Sequence, residues 1–76
     1  MKIWRKRQYS IKEFAESAVH IVEKRKTINL KALSAMLAVR FDMTRGLAIS
    51  NVQMLADGGY LKLNGEEVTK GEEKIE

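Results

Sequence analysis

Gly58-Gly59-Tyr60-Leu61-Lys62-Leu63-Asn64-Gly65-Glu66-Glu67-Val68-Thr69 is the run whose reading decides the fold. Two adjacent glycines after Asp57 stop a helix, because glycine takes up a left-handed C-terminal backbone without steric cost. Tyr60–Leu63 and Glu66–Thr69 are short strand-like runs. Asn64-Gly65 between them is a strong hairpin signal, since both central residues of such a turn take positive φ. The run predicts a helix end followed at once by a β-hairpin.

Upstream, apolar residues recur at helical spacing. Ser10 and Glu13 have the separation of a capping box, in which each satisfies an unpaired amide of the other. Ile11, Phe14, Ala15, Ala18, Val19 and Val22 follow on one face. Lys24-Arg25-Lys26 suits the negative end of the helix dipole near Lys26. Thr27-Ile28 is a β-prone link, and Asn29 caps a second helix. Leu30, Leu33, Met36 and Leu37 form its stripe, with an end near Val39 or Arg40. A turn around 40–43 leads to a third helix, capped by Asp42 or Thr44 and running to Asp57. Beyond the hairpin, Thr69 and Glu72 again have capping-box spacing and predict a last helical turn. The order is helix, short strand, helix, turn, helix, hairpin: a mainly α fold with a small β-hairpin, of the α+β class.

Seventy-six residues make one domain. A domain of this size buries only ~60% of the surface its unfolded chain exposes, so stability rests on the core or on a second subunit. There is no cysteine and one histidine. Disulfides, cysteine zinc sites and thiol nucleophiles are thereby excluded, and no metal or other cofactor is expected. No apolar run approaches the ~20 residues of a membrane span. The basic start, Met1 to Arg7, is not followed by the apolar stretch of a signal peptide, so a cytoplasmic location is expected.

The net charge of +4 is unevenly spread. Residues 1–45 carry eleven Lys and Arg against four acids, and residues 46–76 carry three lysines against six acids. Composition divides the chain into a basic arm at 1–9, a domain at 10–72 and an acidic tail at 73–76. A basic front and an acidic back can orient a protein on a polyanion.

The third helix carries the sharpest pattern. At ~100° per residue, Ala48, Val52 and Leu55 fall on one side, and Gly46, Ser50, Gln53 and Asp57 fall opposite. The outer face has no acid until its far end. Leu47 and Met54 flank the core side, and together with Ile21 and Ile3 they are apolar residues left over from the main stripes.

Leu30 to Leu37, the turn, Ala48 to Leu55, then Gly58-Gly59-Tyr60-Leu61 and Val68-Thr69-Lys70-Gly71 resemble the winged helix-turn-helix family over roughly residues 10–72. The resemblance implies a three-helix winged helix-turn-helix with a short wing, and a sequence-specific double-stranded DNA-binding protein of the transcription-regulator kind. The B-DNA major groove is ~12 Å wide and admits one helix while the preceding helix braces it. The third helix is then the reader. Gly46 allows close approach, Ser50 and Gln53 face base edges, and Thr44 and Arg45 meet phosphate at the helix start. Lys31, Arg40 and Lys62 are further basic contacts. In the arm, Arg5, Lys6 and Arg7 stand between Trp4 and Tyr9, a mixture that suits tracking a backbone. The aromatic rings also suit packing on the first helix. Glu66 and Glu67 leave the wing little affinity for DNA. A homodimer would match palindromic sites.

Two other readings stay open. Arg45-Gly46-Leu47-Ala48, with Gln53, Leu55, Gly59 and Leu61-Lys62-Leu63, is similar to a small-subunit ribosomal protein family that is also a winged helix, which implies RNA binding. The acidic tail and a longer turn between the second and third helices depart from that family. The acidic wing and tail also suit a protein-interaction adaptor. An enzyme is not expected, because no nucleophile has a partner and no glycine-rich phosphate loop is present.

Overall fold

A computed structural model describes residues 9–75 of the chain. Ser10 and Glu13 form the capping box in full. The Glu13 amide donates to Ser10 Oγ at 3.0 Å, and the Ser10 amide donates to Glu13 Oε1 at 3.1 Å. The helix so begun, α1, runs Ile11–Arg25 and buries Phe14, Ala15, Ala18 and Val22. It stops at Lys26, whose positive φ of 70° turns the chain directly into β1, Thr27–Asn29.

Asn29 caps α2, Leu30–Phe41, by accepting the Lys31 amide at 2.8 Å. The helix runs slightly past the sequence expectation, to Phe41, which joins the core. Leu33, Leu37 and Phe41 lie four residues apart on its buried face. Phe41 packs at 5.4 Å between ring centroids from Phe14 and 5.2 Å from Tyr9. Met36, expected in the stripe, is 38% exposed, and Ser34 is fully buried in its place. Ile11, expected on the buried face of α1, is also largely exposed.

Helices α2 and α3 end in the same way. At the end of α2, Asp42 adopts a left-handed backbone, its amide donating to Val39 O at 3.4 Å and the Met43 amide to Ala38 O at 3.0 Å. At the end of α3, Arg45–Asp57, Gly59 has positive φ, its amide donating to Ala56 O and the Tyr60 amide to Leu55 O. Both are the paired bonds of a Schellman closure, which satisfies the last carbonyls of a helix. Asp42 therefore closes α2 rather than opening α3, and Thr44 caps α3.

Strands β2, Leu61–Asn64, and β3, Glu67–Lys70, form the hairpin. Its turn sits one residue later than Asn64-Gly65 suggests. Asn64 pairs with Glu67, so Gly65 and Glu66 form the loop. Of Asn64, Gly65 and Glu66, only Gly65 has positive φ, the sign pattern of a hairpin turn with glycine first. The link at Thr27 becomes a third antiparallel strand, in the order β1-β3-β2. Ile28, Val68 and Leu63 align across the sheet on its core side. Thr27, Thr69 and Lys62 align on the other side.

The chain after β3 forms no helical turn; Thr69 is a strand residue paired with Thr27 and Lys62. The Gly71 amide donates to Tyr60 O and the Glu73 amide to Gly59 O, both at 3.0 Å. Ile75 packs against the core. The stretch that composition sets apart as an acidic tail is thus docked on the domain as far as Ile75.

Two substitutions test this packing. Ser34 Oγ is buried with no hydrogen-bond partner among the described residues. An unsatisfied buried hydroxyl costs about 1–3 kcal/mol, and alanine is the better helix former. Ser34→Ala should therefore raise the melting temperature by roughly 4–8 °C, about 1 kcal/mol for a domain this size. A Cβ at Gly71 would collide with the Gly59 carbonyl oxygen. Gly71→Ala should lower stability by about 1–3 kcal/mol in a denaturant titration, the usual cost of forcing a backbone apart.

Candidate nucleic-acid interface

The surface in question is the outward side of α3, and its neighbours decide how it is held. Only three residues, Asp42 to Thr44, separate α2 from α3, one fewer than the sequence suggests. Thr44 Oγ1 accepts the Leu47 amide at 3.2 Å. The remaining amides of that first turn have no intrahelical acceptor, which gives the helix start a partial positive charge. Ala48, Val52 and Leu55 are buried, as the periodicity predicts. Gly46, Ser50, Gln53 and Asp57 are all exposed. A Cβ built on Gly46 would meet nothing within 4 Å, so the backbone there is open to close approach. Thr44 and Arg45 are exposed beside it. Thr44, Arg45, Gly46, Ser50 and Gln53 are thus all exposed, Gly46, Ser50 and Gln53 on one side of α3 and Thr44 and Arg45 at its start, and the helix carries no carboxylate until Asp57 at the far end.

The other candidate residues are more scattered. Lys31 is exposed in the first turn of α2. Lys62 is exposed on the outer side of the sheet, beside Thr69. Arg40 is exposed in the last turn of α2, but it lines a groove with Glu13, Glu16 and His20 of α1. Those two carboxylates oppose its charge, so Arg40 adds less positive potential than its sequence position suggests. Arg5, Lys6 and Arg7, with Trp4, lie outside the described residues. The root of their segment is held against α3. Asn51 Nδ2 donates to the Tyr9 hydroxyl at 3.3 Å, and the Tyr9 ring packs on Phe14 and Phe41. Tyr9 thus takes the packing role of its two sequence readings.

Asn51 was not legible as a site residue. It lies between the buried and exposed sides of α3, and it also approaches Met43 Sδ at 3.9 Å. It joins the turn, the third helix and Tyr9 through one side chain, a placement that needs residues 8 and 42 positions away to converge.

The wing is folded back on the domain. The Leu30 amide donates to Glu66 O at 2.7 Å. Asn29 Nδ2 donates to Glu66 Oε1 at 3.5 Å, and Thr27 Oγ1 donates to Glu67 Oε2 at 2.8 Å. The two acids that weaken the wing for a polyanion therefore fasten it to β1 and to the start of α2. At that helix start a carboxylate is also favoured by the dipole. Behind the domain, Lys70 Nζ lies 3.6 Å from Glu23 Oε2, an exposed pair of little energetic weight.

Among the described residues no group of three His, Cys, Asp or Glu side chains is placed to hold a metal ion, and no helix is long and apolar enough to cross a membrane. Comparison with family models, curated proteins and solved structures found no match for the chain.

Proposed function

We propose that this chain is a sequence-specific double-stranded DNA-binding protein of the winged helix-turn-helix kind, acting as a transcriptional regulator through α3. The observation that carries the reading is the continuous carboxylate-free surface from Thr44 to Gln53, open at Gly46, on a helix braced by α2 across a three-residue turn. Such a turn and a second, presented helix are the parts of a major-groove reader. Arg45, Thr44 and the helix-start amides meet phosphate, which positions the protein without reading sequence. Ser50 and Gln53 meet base edges; glutamine pairs in bidentate fashion with adenine. The inward-fastened wing leaves the third helix and the basic residues at 2–7 as the main contacts. The protein has no catalytic role and acts in the cytoplasm, a location that suits a chain without cysteine.

A salt titration against duplex DNA, single-stranded DNA and folded RNA tests the reading. Duplex should bind tightest, with affinity falling steeply as salt rises. No duplex binding at ~50 mM salt would transfer the reading to a protein adaptor, and preference for folded RNA would transfer it to the ribosomal kind. Gly46→Ala makes the test specific. The added methyl meets nothing within 4 Å beyond its own stretch of helix, and alanine favours the helix, so stability should hold or rise while duplex affinity falls. Unchanged affinity would mean that this helix start does not approach DNA. Gln53→Ala should relax selection at one base position, by about 1–3 kcal/mol if the contact is bidentate, measured by selection from a random duplex pool.

A further inference from the structure

Helix α2 is apolar on the side that faces solvent as well as on the side that faces the core. At ~100° per residue, Ala32, Ala35, Met36 and Val39 fall opposite the buried Leu33, Ser34 and Leu37. Val39 is 84% exposed, Met36 and Ala32 are exposed, and Ala35 is half-buried. The corresponding side of α1 carries Glu13, Glu16, His20, Glu23 and Lys24, and that of α3 carries Gly46, Ser50, Gln53 and Asp57. A single exposed leucine or methionine is ordinary on a small domain. Four apolar residues at i, i+3, i+4 and i+7 with no polar group among them are a continuous helix face, and a helix that is apolar on both sides belongs in an interior.

The stripe is complementary to itself. Its positions are symmetric about the point between Ala35 and Met36. When a second copy is laid antiparallel with a two-fold axis at that point, each large side chain meets a small one. Val39 meets the partner's Ala32, and Met36 meets the partner's Ala35. Alanine at these positions lets two helices pack closely, and reciprocal contacts are what a two-fold interface requires. A parallel pair would instead set valine on valine and alanine on alanine. The two charged residues of α2 do not obstruct the antiparallel pair. Lys31 and Arg40 stand on opposite flanks of the stripe, which keeps Lys31 of one copy away from Arg40 of the other, and Arg40 lines a groove with Glu13 and Glu16 of α1.

We infer that the outward side of α2 is the interface of a homodimer, two copies packing antiparallel along Ala32, Ala35, Met36 and Val39. The twelve residues of α2 span about 18 Å on a cylinder ~10 Å across. That area falls short of the ~800 Å² per partner of a tight complex, so the pair forms and dissociates with protein concentration. It needs no nucleic acid and does not depend on the DNA reading above. It also carries two copies of α3 related by its two-fold axis, the symmetry of a palindromic site.

Sedimentation of the full chain, without DNA, tests the interface. The mass should double as concentration rises to about 1 mM, the range in which so small an interface is read. Met36→Gln with Val39→Gln keeps the net charge and should stay monomeric throughout, with the wild-type melting curve at high dilution. Cysteine pairing tests the register, since the chain has no cysteine of its own. Under mild oxidation, a mixture of Ala32→Cys and Val39→Cys should cross-link between the two variants, and each variant alone should cross-link far less. A wild-type protein that stays monomeric at every concentration overturns the inference. So does a dimer that survives the double glutamine variant, which places the interface elsewhere. Cross-linking of either cysteine variant with itself in preference to the mixture, or none in the mixture, overturns the antiparallel pair. A monomer that dimerises only after deletion of residues 2–8 assigns the stripe to the chain's own start and overturns the inference too.

Discussion

The contact on which the rest of the structure depends is the burial of Ala48, Val52 and Leu55 against the core. These residues form one narrow stripe on α3, and two of the three are small. They let the helix lie close to the core while committing one side of it to folding. The side opposite that stripe, with Gly46, Ser50 and Gln53, is released from packing. That is why a glycine, a serine and a glutamine can stand together on a helix that a 76-residue domain otherwise needs for its stability.

The orientation of α3 is set at both ends by backbone chemistry. Asp42 and Thr44 divide one junction between them, the first closing α2 in a left-handed conformation and the second opening α3 as its cap. Gly59 closes α3, and its carbonyl then receives the Glu73 amide from the returning chain. Gly71 crosses that same backbone with no room for a side chain. The end of α3 and the returning segment from Gly71 to Glu73 are thus one packed unit. Change at the tail is felt at α3, although the two are far apart in sequence.

Charge follows the same economy. Glu66 and Glu67 would repel a polyanion if the wing projected freely. Here they are engaged with Asn29 and Thr27, and the Glu66 carbonyl takes the first amide of α2. Arg40, in turn, faces the carboxylates of α1. Linear charge counts therefore overstate the gain from the end of α2, whereas the hydrogen bonds from neutral Asn29 and Thr27 hold Glu66 and Glu67 in place without removing their charge. The surface from Thr44 to Gln53 depends less on net charge than on the absence of acids.

Local patterns decided a large part of this in advance. The capping box at Ser10 and Glu13, the cap at Asn29, the stop at Gly58-Gly59 and the buried side of α3 are each written within a few residues, because they depend on helix periodicity and on nearby unpaired amides. Periodicity also placed Gly46, Ser50, Gln53 and Asp57 outward. Contacts between distant segments decided the rest. Phe41 belongs to the core because the rings of Phe14 and Tyr9 converge on it, and Ser34 is buried because α2 is rotated to fit them. Val68 lies between Ile28 and Leu63. The hairpin turn moved one residue because cross-strand register, which pairs Asn64 with Glu67, outweighs the local preference of Asn-Gly. The helical turn expected after Thr69 gave way because that residue's backbone is committed to the sheet. Short-range hydrogen bonding can be read from neighbouring residues; register, helix rotation and the docking of the chain end appear only when segments tens of residues apart compete for the same core.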